Sequence, residues 1–159
     1  MKKIIDIICA HTTYGDVYHH DDSLTGKILL ASDSSFEGLI EDSNGQETFF
    51  IFGNMNKENQ SISVIKSTKN DDDLPKEYRV YNENGNFYGD LYVKTRFAEI
   101  PIGECKVSVI NPDTYREVSP REYKQLKTNI QMYKSSLGEE SFGLYQEIMP
   151  DTYEKEMTK

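Results

Sequence analysis

The chain has 159 residues, with 18 Lys and Arg against 27 Asp and Glu, and a formal net charge of −9. Phosphate recognition needs clustered Lys and Arg, and here they are scattered and outnumbered, so nucleic acid and anionic membrane surfaces are not expected partners. Eleven Tyr and seven Phe supply bulk for one core, three Ala argue against a mainly helical protein, and a chain this long buries roughly 70% of its unfolded surface without a disulfide or metal staple.

The first ten residues, Met-Lys-Lys-Ile-Ile-Asp-Ile-Ile-Cys-Ala, superficially resemble a signal peptide or lipoprotein leader. The apolar run is too short for one, Asp6 interrupts it, and bulky Ile8 precedes Cys9. They read instead as a first β-strand. No run approaches the roughly 20 apolar residues of a membrane span, and the expected location is cytoplasmic. Cys9 and Cys105 lie far apart and make a weak disulfide framework. If the first strand pairs with the last, the two would come close as thiols.

Alternation and turn residues predict eight strands, at 4–10, 24–32, 36–43, 46–54, 61–67, 77–83, 86–94 and 104–110. Helical patterning begins only after residue 118. Strands first and helices last predict an α+β, mainly β, single domain over 1–159, with no helical crossover to support a parallel sheet. A barrel or sheet would occupy 1–110, a helical segment 119–149 and a tail 150–159.

Two Asn-Gly pairs, Asn44-Gly45 and Asn84-Gly85, accept the positive φ angles of type I′ turns and set the register of two hairpins. In the first, Ser43 faces Gln46, Ile40 faces Phe49, Gly38 faces Ile51 and Phe36 faces Gly53. Apart from the Ser43–Gln46 pair at the turn, that face is apolar or glycine, and burying Phe36, Ile40, Phe49 and Ile51 stabilises by roughly 2 kcal/mol each before entropy. The reverse face pairs Leu39 with Phe50, Glu37 with Phe52 and Glu41 with Thr48. It is half apolar, so a cover is expected. In the second hairpin Asn82 faces Phe87, Val80 faces Gly89 and Tyr78 faces Leu91, with Tyr81 opposite Tyr88 and Arg79 opposite Asp90 on the reverse.

Glycine in mid-strand permits the bend of a closing sheet. Two bent hairpins among eight strands therefore predict an antiparallel β-barrel or a strongly curved meander. Over residues 24–110 this architecture resembles the lipocalin-type, or calycin-like, up-and-down barrels. Lipocalins usually carry Gly-x-Trp near the first barrel strand. This chain has no Trp, and its Phe-x-Gly runs in a different order, so the resemblance carries over no binding residue.

The tail opens with Ser119-Pro120-Arg121-Glu122, which combines a Ser N-cap, Pro at the first helical position and Glu at the third. Tyr123, Leu126, Ile130, Tyr133 and Leu137 then form an apolar stripe. The stripe is expected to cover the sheet face around Leu39, Phe50 and Phe52; a dimerisation helix is the alternative. A second short helix is expected from 139 to 149, ended by Pro150. One or two helices thus pack on the barrel.

All three histidines, His11, His19 and His20, fall within ten residues, beside Cys9, Asp16, Asp21 and Asp22. Imidazole, thiolate and carboxylate can ligate zinc or a transition metal, although this spacing matches no established site. Glu37 and Glu41 lie roughly 13 Å apart along a strand, too far to share a proton, and read as solvated edge positions. Asp71-Asp72-Asp73 lacks the alternation of a calcium loop. Cys9 and His11 share a strand face, but a structural thiol is the simpler account. No nucleophile elbow or phosphate loop is present.

Without a catalytic motif, and with no cofactor implied, the leading expectation is a non-enzymatic module that binds a small molecule or peptide. Tyr78, Arg79, Tyr81, Tyr88 and Asp90 are its candidate ligand residues, as an Arg–Asp pair beside tyrosines can orient a polar group. The alternatives are an acidic protein-interaction or inhibitory module, as monomer or homodimer, and a metal-dependent enzyme built on His11, His19 and His20.

Overall fold

A computed structural model describes residues 3–15, 22–43, 45–67, 73–110 and 119–158. Eight strands, β1 (Lys3–Thr13), β2 (Asp22–Leu30), β3 (Ser35–Asp42), β4 (Thr48–Asn56), β5 (Ser61–Lys66), β6 (Lys76–Glu83), β7 (Asn86–Lys94) and β8 (Glu99–Ile110), precede three helices, α1 (Pro120–Lys134), α2 (Glu139–Ile148) and α3 (Asp151–Met157). Each strand pairs antiparallel with the next, and β8 returns to β1, so the sheet is a closed barrel.

The hairpin registers follow the turns. Phe36 faces Gly53, Gly38 faces Ile51 and Ile40 faces Phe49; Tyr78 faces Leu91, Val80 faces Gly89 and Asn82 faces Phe87. Asn84 and Gly85 adopt φ of 55° and 90°, as a type I′ turn requires. Asn44 lies outside the described residues. β8 begins five residues earlier than the sequence suggests, and Leu91/Tyr92 carries a register irregularity where Pro101 joins the ladder without an N–H to donate. At Gly53 the neighbouring strand comes so near that a Cβ would meet Ser63 O at 1.9 Å. Close approaches of this kind let the sheet curl shut.

The barrel interior is packed. Phe36, Ile28, Ile51, Val64, Tyr78, Val80 and Leu91 are fully buried there. Phe49 is half-buried, with Lys66 Nζ 4.7 Å from its ring centre. On the outside, Leu29, Phe50, Phe52 and Ile65 meet Ile130, Leu144, Tyr145, Tyr153 and Met157, with Leu39, Tyr123, Leu126, Tyr133 and Leu137 at the margins. The helical stripe therefore covers its own sheet, and this face is not free to be a dimer interface. Ser119 caps α1 by accepting from Glu122 N at 3.1 Å.

Two expectations need correction. The stretch expected to be a tail, 150–159, contains α3, and Pro150, which ends α2 in the sequence reading, also stands at the N-terminal boundary of α3 without a side-chain capping bond. Tyr153 anchors it in the second core, and Ser32 N donates to Glu156 Oε1 at 3.0 Å. Glu37 is not solvated: it is 3% exposed, because α1 and α2 lie over it. Its carboxylate accepts from Lys134 Nζ at 2.9 Å and from the Tyr145 hydroxyl. Burial and the adjacent Glu37 push the Tyr145 phenol well above its usual range.

Candidate functional site

Side chains fill the middle of the barrel, so room for a solute lies at its ends. At one end, the β4–β5 and β6–β7 turns and the last residues of β8 surround a cavity of about 520 Å³. Its floor is aliphatic and aromatic: Ile5, Leu30, Ile62 and Val107 are buried, while Met55, Phe87 and Val109 are half-buried. Its rim is polar, from Asn56, Lys57, Gln60, Ser61, Asn82, Asn86 and Ser108. This volume lies within the roughly 300–1,000 Å³ of small-molecule sites, and barrel mouths are a usual place for them.

The rim is held by its own amides. Asn56 Oδ1 accepts from Glu58 N at 3.0 Å and Asn59 N at 3.2 Å. Asn82 Oδ1 accepts from Gly85 N at 2.9 Å, and Asn82 Nδ2 donates to Gln60 Oε1. Asn82 N also donates to Gln60 O at 2.8 Å, tying the two turns together. The sequence carried one pointer to this place. Asn82 and Phe87 share the inward face of their hairpin with Tyr78, Val80 and Leu91, and an amide at the end of an apolar face marks where a barrel opens.

The five residues expected to bind ligand do not converge. Tyr78 points inward, fully buried, with its hydroxyl 2.8 Å from His11 Nδ1. Arg79 lies on the outer wall and bonds Glu77 Oε2 at 2.8 Å and Glu99 Oε1 at 2.9 Å, with Tyr92 stacked beneath its guanidinium at 4.3 Å. Asp90 stands opposite Arg79 in register, but the ion pairs of Arg79 go to the two glutamates. Tyr81 and Tyr88 face each other on that wall, 53% and 45% exposed. The helices lie over β2 to β5, so among the described residues the tail does not enclose this wall.

The inward face near the other end gathers His11, Tyr78, Lys66 and the two thiols. Cys9 pairs with Val107 and His11 with Cys105, so the thiols sit diagonally on one face, both free and buried. Burial pushes each thiol up to about 12, which removes its nucleophilic form near neutrality. His19, His20, Asp16, Asp21, Asp71 and Asp72 lie outside the described residues, and among those described no three His, Cys, Asp or Glu side chains form a metal-holding group. No helix among the described residues is long and apolar enough to cross a membrane. Comparison with protein families, with curated proteins and with solved structures finds no match to this chain.

Proposed function

We propose that this protein is a non-enzymatic binding module that holds one small, largely apolar molecule in the mouth between the β4–β5 and β6–β7 turns. The supporting observation is a cavity of about 520 Å³ with an apolar floor and an amide rim, at the end of an otherwise filled barrel. A reducing, cytoplasmic setting belongs to this reading and is supported by the two free inward thiols, Cys9 and Cys105.

The test uses N-phenyl-1-naphthylamine, a neutral apolar dye that brightens out of water. The chain has no Trp to interfere. A saturable, one-site rise in emission is expected. It should be lost in Val109→Trp, where the indole fills the mouth, while the melting curve of that variant stays cooperative. A dye response that never saturates, or one that survives Val109→Trp unchanged, would sink the proposal.

A further inference from the structure

We propose that the molecule held in this mouth is an anionic amphiphile, with an apolar body on the floor and a hydrogen-bond-accepting head at the rim. The inference rests on the mouth being the binding site. It comes from which rim atoms are already engaged. Backbone N–H groups can only donate, so their bonds assign Asn56 Oδ1 and Asn82 Oδ1 as the oxygens of those amides without ambiguity. Asn82 Nδ2 then points at Gln60, which makes the Gln60 atom facing it Oε1. Three amide oxygens thus accept inside the rim, and Asn56 Oδ1 uses both of its lone pairs there.

The rim groups with no partner among the described residues include three donors, beside the Asn86 amide and the Ser108 hydroxyl, which can serve either way. Asn56 Nδ2, Gln60 Nε2 and Lys57 Nζ, all on lining residues, take part in no hydrogen bond or ion pair among the described residues. Ser61 donates its hydroxyl to Asn59 Oδ1 at 2.5 Å, which leaves its own oxygen to accept. Charge points the same way. The chain carries 27 Asp and Glu, yet none of the described residues lining the mouth is acidic, and Lys57 is a cation. An ammonium head would meet donors and no counter-charge. A sulfonate, phosphate or carboxylate head would meet donors and one charge-assisted bond.

The experiment displaces N-phenyl-1-naphthylamine with octanesulfonate, octanol and octyltrimethylammonium, each below its micelle concentration. The three share a tail and differ in the head. Octanesulfonate is expected to displace the dye at about one-tenth the concentration of the ammonium compound, the ratio expected of one hydrogen bond to a charged group. In Lys57→Ala its advantage over octanol should shrink several-fold. Equal displacement by sulfonate and ammonium, or a sulfonate advantage that ignores Lys57→Ala, overturns the anionic head and leaves the mouth as a site. Absence of saturable dye binding overturns the site itself, and this inference with it.

Discussion

Lys134→Met tests how the helices are fastened to the barrel. Lys134 sits in the last turn of α1, and its amine meets Glu37 Oε1 at 2.9 Å, the Tyr145 hydroxyl at 2.5 Å and Glu154 Oε1 at 3.0 Å. The Lys134 and Glu37 side chains are 11% and 4% exposed, whereas Glu154 is 65% exposed. Removing one member of a buried ion pair costs about 3–5 kcal/mol, because the other charge stays behind. The Glu154 contact is at the surface and contributes at most about 1 kcal/mol. Tyr145 still donates to the Glu37 carboxylate, so the lower end, about 3 kcal/mol, is expected. Urea unfolding followed by far-UV circular dichroism measures it. Glu37→Gln in the Lys134→Met background removes the stranded charge yet keeps an acceptor for Tyr145, and should recover about 2 kcal/mol. A loss below about 1 kcal/mol for Lys134→Met, or no recovery in the double variant, would show that the pair is not sealed from water as its burial implies.

Gly53→Ala and Gly45→Ala separate close approach from backbone conformation. At Gly53 a Cβ would strike the Ser63 carbonyl oxygen, which cannot yield, and the melting temperature should fall by roughly 5 °C or more; at Gly45, φ +66° with open space around it, the loss should be about 1 kcal/mol. Calorimetry distinguishes them, and equal losses would refute the crowding argument. With both thiols buried and pushed up to about 12, Cys9 and Cys105 should resist iodoacetamide at pH 8 until urea unfolds the chain; rapid native labelling would contradict the burial. Hydrogen bonds from Arg79 and then Lys94 hold the Glu99 carboxyl down to about 2 from its usual 4.5. The folded value is the lower one, so the Glu99 contribution is complete above pH 4.5 and fades as pH falls towards 2. Glu99 is 40% exposed and screened by solvent, so Glu99→Gln should remove at most about 1 kcal/mol at pH 7 and nothing near pH 2. A loss that is the same at both pH values would count against the linkage.

Strand order and hairpin register were legible because they rest on local chemistry. Asn84-Gly85 determines which residues of β6 and β7 face each other, and alternation then assigns faces. The stripe from Tyr123 to Leu137 and the half-apolar Leu39–Phe50–Phe52 face implied each other for the same reason. What local patterning missed depended on tertiary neighbours. Glu37 looks like a solvated edge until Lys134 and Tyr145 arrive from roughly a hundred residues away. The seven residues of α3 are too few to declare themselves without the pocket that Tyr153 fills. The expected ligand residues stand apart for a related reason. Tyr81, Arg79, Tyr88 and Asp90 have the chemical character of a site, but they lie on an outer face that no helix among the described residues encloses. The cavity is rimmed by ordinary amides on the β4–β5 and β6–β7 turns, which the β5–β6 pairing brings together above a floor shared by β1 and β8.

The binding proposed for this mouth requires walls that stay put, and the helical layer supplies part of that restraint. The turn after β2 borders the mouth through Leu30 and is held from outside by α3. Glu156 accepts from Ser32 N at 3.0 Å and Ser32 Oγ at 3.0 Å, and Thr152 Oγ1 donates to Asp33 Oδ2 at 3.1 Å. None of these residues lines the cavity. Glu156→Ala therefore frees the turn without altering any surface a ligand would touch. The Ser32 donors are exposed and can turn to water, so global stability should change by about 1 kcal/mol or less. The dye, however, now has to order the turn as it binds, and its affinity should fall several-fold. Affinity unchanged within twofold, measured on a variant with a wild-type melting curve, would mean that the mouth is rigid without α3.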